Sequence, residues 1–319
     1  MKKNQHCDHV DFYRVRSIDA INTLFDGPPV RSIARDMLLP HEKWLQYFND
    51  ASPIIDSTHL TSLLTYGKFV RGIATGANEY FALPMSTMRR MGMESYDVIP
   101  CITKSMQVQT RVFTESNFDD LVENDKPVFL LSTSNNMSAG LKKYIEEGEK
   151  MGYHKRPLTS HRKPWYKLEH RSPAPLWFGV FSRGGLKIIR NYTNVRTLTC
   201  FHGFVPNSLG EKYIDHLFLY LLSRTGKSLL SLNMRRYGND LNKFEPSDIN
   251  QAICPNVAWF DYMSSLDLNE EIAYVNDYGV ISERAEAMFS CLVERSARSA
   301  TVVRNEPSND AKAEPREKE

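Results

Sequence analysis

The chain predicts an α+β fold: a mixed domain with clustered antiparallel strands and a helical C-terminal part. Three observations predict it. Strand-like runs rich in aromatic and branched residues crowd into 111–133, 174–192 and 198–206 instead of alternating regularly with helices, so no repeated βαβ unit is present. Two of those runs flank Gly184-Gly185, the strongest hairpin signal in the chain. From about residue 209 to Arg298 the apolar spacing becomes helical.

In order along the chain, "LPHEKWLQYFND" (39–50) predicts a short helix with Pro40 near its first turn. "DSTHLTSLLTYG" (56–67) predicts a second, with Asp56 as N-cap and Gly67 as stop. "KFVRGIA" and "EYFALP" predict two strands of a hairpin around "TGAN" (75–78), where Gly76 and Asn78 tolerate positive φ. "RVFTESNFDDLVENDKPVFLLST" (111–133) predicts strand, helix, strand, and "AGLKKYIEEGEKMGY" (139–153) a helix. "APLWFGVFSRGGLKIIRNY" (174–192) is the hairpin, "LTCFHGFVP" (198–206) a third strand, and "LGEKYIDHLFLYLLSRTG" (209–226) one long apolar-faced helix. The tail "NEPSNDAKAEPREKE" is polar and proline-interrupted and reads as disordered.

At 319 residues, 24% charged and 41% hydrophobic, the composition is that of a globular protein with a sizeable core. No apolar run reaches membrane-helix length, and no apolar segment follows Lys2 and Lys3 as a secretory signal requires. Five scattered cysteines suit a reducing cytoplasm. The net charge of +2 conceals an asymmetry: residues 141–200 hold 13 Lys and Arg against 4 Glu, a surplus of nine, and the remainder is acidic by seven. Such a segment fits a polyanion partner; it equally fits a face neutralised by acids from elsewhere in the fold.

Four stretches in order resemble the target-recognition region of adenine-specific DNA methyltransferases. They are "GKFVRGIATGANEYFAL", "HKRPLTSHRKPWYKLEHRSPAPLWFGVFSR", "LKIIRNYTNVRTLTCFHGFVP" and "RRYGNDLNKFEPSDINQAICP", spanning roughly residues 60–256. The resemblance implies a domain division of 1–55 as a linker-like segment, 56–256 as the DNA target-recognition domain, 257–298 as a C-terminal helical segment and 299–319 as a disordered tail. It implies Arg71, Gly72, Thr75, Gly76, Asn78, Lys155, Arg156, Arg162, Lys163, Trp165, Arg183, Arg190, Asn191 and His202 as DNA-binding residues. Among them Arg71 and Asn78 on the bend suit bidentate base contacts. Lys155, Arg156, Arg162 and Lys163, in the proline-flanked "HKRPLTSHRKP", suit the phosphate backbone.

The catalytic part of such enzymes is not matched. It needs a glycine loop for S-adenosylmethionine and an Asn/Asp-Pro-Pro-Tyr/Phe loop to hold a flipped adenine. "DGPPVRS" (26–32) has Gly27 before its prolines and Val30 after them and cannot make that clamp; no Gly-x-Gly occurs anywhere. The expectation is a recognition module without cofactor of its own. Its partners are double-stranded DNA and a separate catalytic subunit carrying S-adenosylmethionine, with no membrane, in a bacterial or archaeal cytoplasm. Half of a split methyltransferase, active only in complex, and an inactive remnant remain as alternatives.

Other motifs read as structural. "SRTGKSLL" (223–230) has Leu221 where a phosphate loop needs its first glycine, and so marks a helix end. "HCDH" (6–9) lacks a second Cys/His pair at zinc spacing and reads instead as a disordered start. His202 in "FHGF" suits either DNA contact or a satisfied strand position. Trp165 and Tyr166 suit base stacking or core packing. No Glu-x-Lys is present, which counts against a restriction-type nuclease centre.

Overall fold

The computed structural model describes residues 7–15, 17–38, 57–132, 136–182, 185–231, 233, 235–236 and 241–292. The chain divides into two compact units, one of residues 1–58 with 293–319 and one of 59–292. The helix expected over 39–50 and the polar tail lie outside the described residues. In the first unit, β1 (His9–Phe12) pairs antiparallel with β2 (Arg31–Ala34), from His9 opposite Ala34 to Phe12 opposite Arg31. Phe12 is buried, and Tyr13 meets Phe25 edge to face.

In the second unit, the helix expected over 56–67 is instead two short 3-10 turns around the strand β3 (Leu60–Ser62). Hydroxyl side chains compete with helical hydrogen bonding here: Ser62 Oγ accepts from the Leu64 amide, and the Thr61 and Thr65 hydroxyls bond each other. β4 (Gly67–Arg71) follows. The hairpin expected around 75–78 does not form. Residues 78–81 make one helical turn, α1 (Asn78–Phe81), and β5 (Ala82–Leu83) runs into a different sheet from β4. Alternation failed as a guide because Tyr80 and Phe81 are both buried, on a turn that presents neighbours to one core.

Next come α2 (Met85–Met91), β6 (Val98–Ile102), β7 (Val112–Phe113), α3 (Glu115–Glu123), β8 (Phe129–Leu131) and α4 (Ala139–Lys150). The strand–helix–strand and helix expected over 111–153 are therefore present. The hairpin of 174–192 is present too, as β9 (Leu176–Gly179) against β11 (Ile188–Asn191), with Trp177 opposite Ile189. A short β10 (Phe181–Ser182) leaves it, and β12 (Arg196–Thr197) and β13 (Phe201–Pro206) complete the strand cluster.

The long helix expected over 209–226 is three helices: α5 (Ser208–Lys212), α6 (Ile214–Leu222) and α7 (Arg224–Ser231). Ser223 makes the second break. Its backbone is extended, and its Oγ accepts from the Gly226 amide as an N-cap. A Cβ on Gly226 would lie 2.0 Å from the Tyr220 carbonyl oxygen, so the Gly-Lys-Ser sequence serves a close helix turn. β14 (Arg235–Arg236), β15 (Asn242–Lys243), α8 (Pro246–Asn250), β16 (Ile253–Pro255), α9 (Val257–Tyr262) and α10 (Leu268–Tyr278) follow, and helix continues over 283–292.

Two sheets carry the core. One has the order β4-β13-β9-β11-β7, antiparallel except for β11 with β7; the other is β12-β6-β8-β5. Buried between them are Ile73, Phe81, Ile102, Leu130, Trp177 and Phe201. The far face of the first sheet packs Phe69, Phe178 and Phe204 with Phe244. Its edge strand β4 is blocked by Asn250, whose side-chain amide accepts from the Phe69 amide and donates to the Phe69 carbonyl.

Candidate nucleic-acid interface

Two segments that the sequence separates by some eighty residues form one surface. β4 ends at Arg71, and the chain turns away through Gly72, where a Cβ would lie 2.2 Å from the Leu198 carbonyl oxygen. The Gly72 and Ile73 amides donate to Phe201 and Thr197, pinning the exit. The turn closes at Gly76, at φ +79°, with Leu158 packed 2.8 Å from where a Cβ would stand. Thr75 locks the bend from inside: its Oγ1 accepts from the Ala77 amide and donates to Asn78 Oδ1 at 2.5 Å.

The loop of 153–170 holds the bend from outside. The Arg162 guanidinium donates to the Ala74 carbonyl at 2.6 Å and the Thr75 carbonyl at 2.7 Å, and Glu169 Oε1 accepts from the Ala74 amide. Arg162 is thus a half-buried clamp whose pKa burial pulls down. Arg156 pairs with Glu79 at 2.5 Å and covers the Tyr153 ring at 4.5 Å. The Glu79 carboxyl is held below its usual range, first by its own backbone amide and further by Arg156. Lys155 and Lys163 stay exposed, as do Arg71 and Asn78.

The other expected contact residues lie differently. Trp165 is half-buried against Tyr80 at 5.4 Å, its indole donating to Glu149 at 2.9 Å. Arg190 is buried: its Nε donates to Asp215 at 2.6 Å, and its guanidinium lies 4.3 Å over Tyr192. Buried Asn191 donates to the Ala174 and Thr193 carbonyls and accepts from the Thr193 amide and hydroxyl. His202, 2% exposed, donates from Nε2 to the Phe244 carbonyl at 2.9 Å, and burial pulls its pKa down. These three side chains are spent inside the fold and present nothing to a duplex, which corrects their place among the contact residues. Thr75 likewise acts within the bend. Arg183 lies outside the described residues.

Sequence reasoning missed three cations. Lys68, Arg171 and Arg196 line, with Arg71, a cleft of about 320 Å³. Lys68 and Arg71 stand three residues apart on β4, and all four fall within stretches that carry the resemblance. Only the pairing of β4 with β13 and the close return of residues 170–174 bring them together.

A family model described as the C-terminal domain of Type II methyltransferase M.Eco57I matches residues 41–276. The chain is 40% identical over 243 residues to Type II methyltransferase M.AccI of Acinetobacter calcoaceticus, covering 75% of this chain and 45% of that protein. It is 21% identical over 247 residues to Type II methyltransferase M.XamI of Xanthomonas campestris pv. amaranthicola, covering 76% and 45%. The chain therefore spans less than half the length of these curated relatives. Among solved structures, the type IIG restriction endonuclease BpuSI aligns with 76% of this chain and 31% of its own, at 16% identity and a TM-score of 0.47.

Proposed function

Because the chain belongs to the family of C-terminal domains of Type II methyltransferase M.Eco57I, we propose that it is the DNA target-recognition part of an adenine-specific restriction-modification methyltransferase. The observation that carries this reading is the joined surface of bend and loop. Exposed Arg71, Asn78, Lys155 and Lys163 stand there on backbone fixed by Arg162, Thr75 and Glu169. A fixed backbone holds side chains in register with a groove, and exposed cations supply attraction to phosphates.

Methyl transfer in this reading is supplied by a catalytic domain outside these residues. S-adenosylmethionine does not fit the residues present, since the sequence has no Gly-x-Gly loop and its Pro28-Pro29 is followed by Val30 instead of an aromatic residue. In this reading the assembly works on DNA in a bacterial or archaeal cytoplasm. A second reading is half of a split methyltransferase, active only in complex. It differs in requiring the catalytic chain for tight binding.

Titration of a fluorescein-labelled duplex at several salt concentrations tests the proposal. If four to six cations meet phosphates, the log–log slope of affinity against salt is roughly −4 to −5. Binding with a flat salt response, or none with or without a catalytic chain, would overturn it.

A further inference from the structure

Lys68 and Val70 alternate on β4 and share one face of the five-stranded sheet. Val205 and Gly203 stand opposite them on β13, and Trp177 stands opposite Gly203 on β9. The other face is filled by Phe69, Phe178 and Phe204. On the Lys68 face, Gly203 leaves room for Ala174, whose Cβ would lie 2.8 Å from a Cβ there. That close approach brings Arg171 over the sheet. Arg196 Nε donates to the Arg171 carbonyl at 2.7 Å, and Glu169 holds the Arg171 guanidinium at 2.7 Å. The result is the 320 Å³ cleft, floored by Val70, Gly203 and Trp177 and rimmed by Lys68, Arg71, Arg171 and Arg196.

No aspartate or glutamate lines this cleft, and of its rim cations Arg171 pairs with Glu169 beside it. Arginine and lysine donate and never accept, so the rim favours a ligand rich in acceptor atoms. The charge surplus calls for an anion. The apolar floor and the volume, far larger than one phosphate group, call for an uncharged part beside it.

We propose that the cleft seats one sugar–phosphate unit of a DNA strand, the phosphate on the cation rim and the deoxyribose on the apolar floor. The proposal rests on the DNA-recognition reading above and deepens it. It moves Arg71 from base reading to phosphate anchoring, which sets the position of the bend carrying Asn78.

The test measures duplex affinity against salt for the full chain and four variants, using a 20-base-pair fluorescein-labelled duplex. Arg71→Ala and Lys68→Ala change exposed side chains and should each reduce the salt slope by about one. Val205→Trp fills the cleft without changing charge, and should weaken binding severalfold. Lys126→Ala, an exposed cation outside the cleft, should bind as the wild type does. Duplex binding with slopes unaltered in both alanine variants, or with Lys126→Ala reducing the slope alike, would overturn the seat while leaving DNA recognition standing. So would wild-type affinity in a folded Val205→Trp; if that variant fails to fold, the two exposed-cation variants decide. No duplex binding by the wild type would overturn the DNA-recognition reading and the seat with it.

Discussion

The Arg162 guanidinium makes two bonds that a lysine ammonium could not make with the same geometry, reaching the adjacent carbonyls of Ala74 and Thr75 from one planar fork. Its neighbour Lys163 is exposed. In sequence the two cations look alike, because composition reports charge and says nothing of which carbonyls the fold brings within reach. Gly76 was legible for the opposite reason: its positive φ is a local demand that a glycine in a bend announces. Arg162→Ala should therefore loosen the bend without unfolding the domain. Hydrogen–deuterium exchange is expected to rise at residues 72–78, and Arg162→Lys should restore protection only in part. Exchange confined to residues 156–163, with the bend still protected, would show that Thr75 and Glu169 hold it unaided.

At the scale of elements, the paired strands were read well and the chain between them less so. The strand pairing of 174–192 was legible because two apolar runs around a glycine pair specify both strands. The pairing of β13 with β4 and β9 was not, since nothing local says which strands a third one will join. The helix of 209–226 kept its apolar character but not its continuity, because Ser223 caps α7 more favourably than it extends α6. His202 on β13 joins the sheet to the segment before α8 and gives that junction a pH dependence. Nε2 donates to Phe244, which leaves the buried Nδ1 without a partner and the ring neutral. Burial lowers its pKa, with Arg71 and Lys243 adding to the effect and the Phe244 carbonyl and Glu245 opposing it. The unfolded chain takes up a proton near pH 6.5, while the folded one resists until lower pH. Stability from this group is thus present above about pH 6.5 and lost as the pH falls through the folded pKa. His216, lowered mainly by burial, acts in the same direction. The urea midpoint should fall below that pH, and His202→Gln should flatten part of the fall; an unchanged profile in that variant would place the dependence on other groups.

For the whole molecule, the basic segment of 141–200 divides into cations held inside the fold and cations left exposed. Arg156, Arg171 and Arg190 pair with Glu79, Glu169 and Asp215. Arg162, Lys187 and Arg196 donate to backbone carbonyls, and burial pulls the Lys187 pKa down. The remaining described cations, Lys142, Lys143, Lys150, Lys155, Lys163 and Lys167, are all exposed. Lys187 apart, this division follows from chemistry: the guanidinium fork suits fixed partners inside a fold, and the strongly hydrated ammonium stays in water. It also divides the lysines by location. Lys142, Lys143 and Lys150 lie on α4, whose Gly140 packs against the backbone of Met91 and Gly92. Lys155, Lys163 and Lys167 lie on the loop that clamps the bend. If the bend and loop face DNA, only the second group meets phosphates. Replacing Lys155, Lys163 and Lys167 together by glutamine should reduce the salt slope of duplex binding by about two to three. The same exchange at Lys142, Lys143 and Lys150 should leave the slope unchanged, although it removes equal charge. Equal reductions from both triples would mean that binding follows the net charge of the segment, and that the surface built around Arg162 does not orient the duplex.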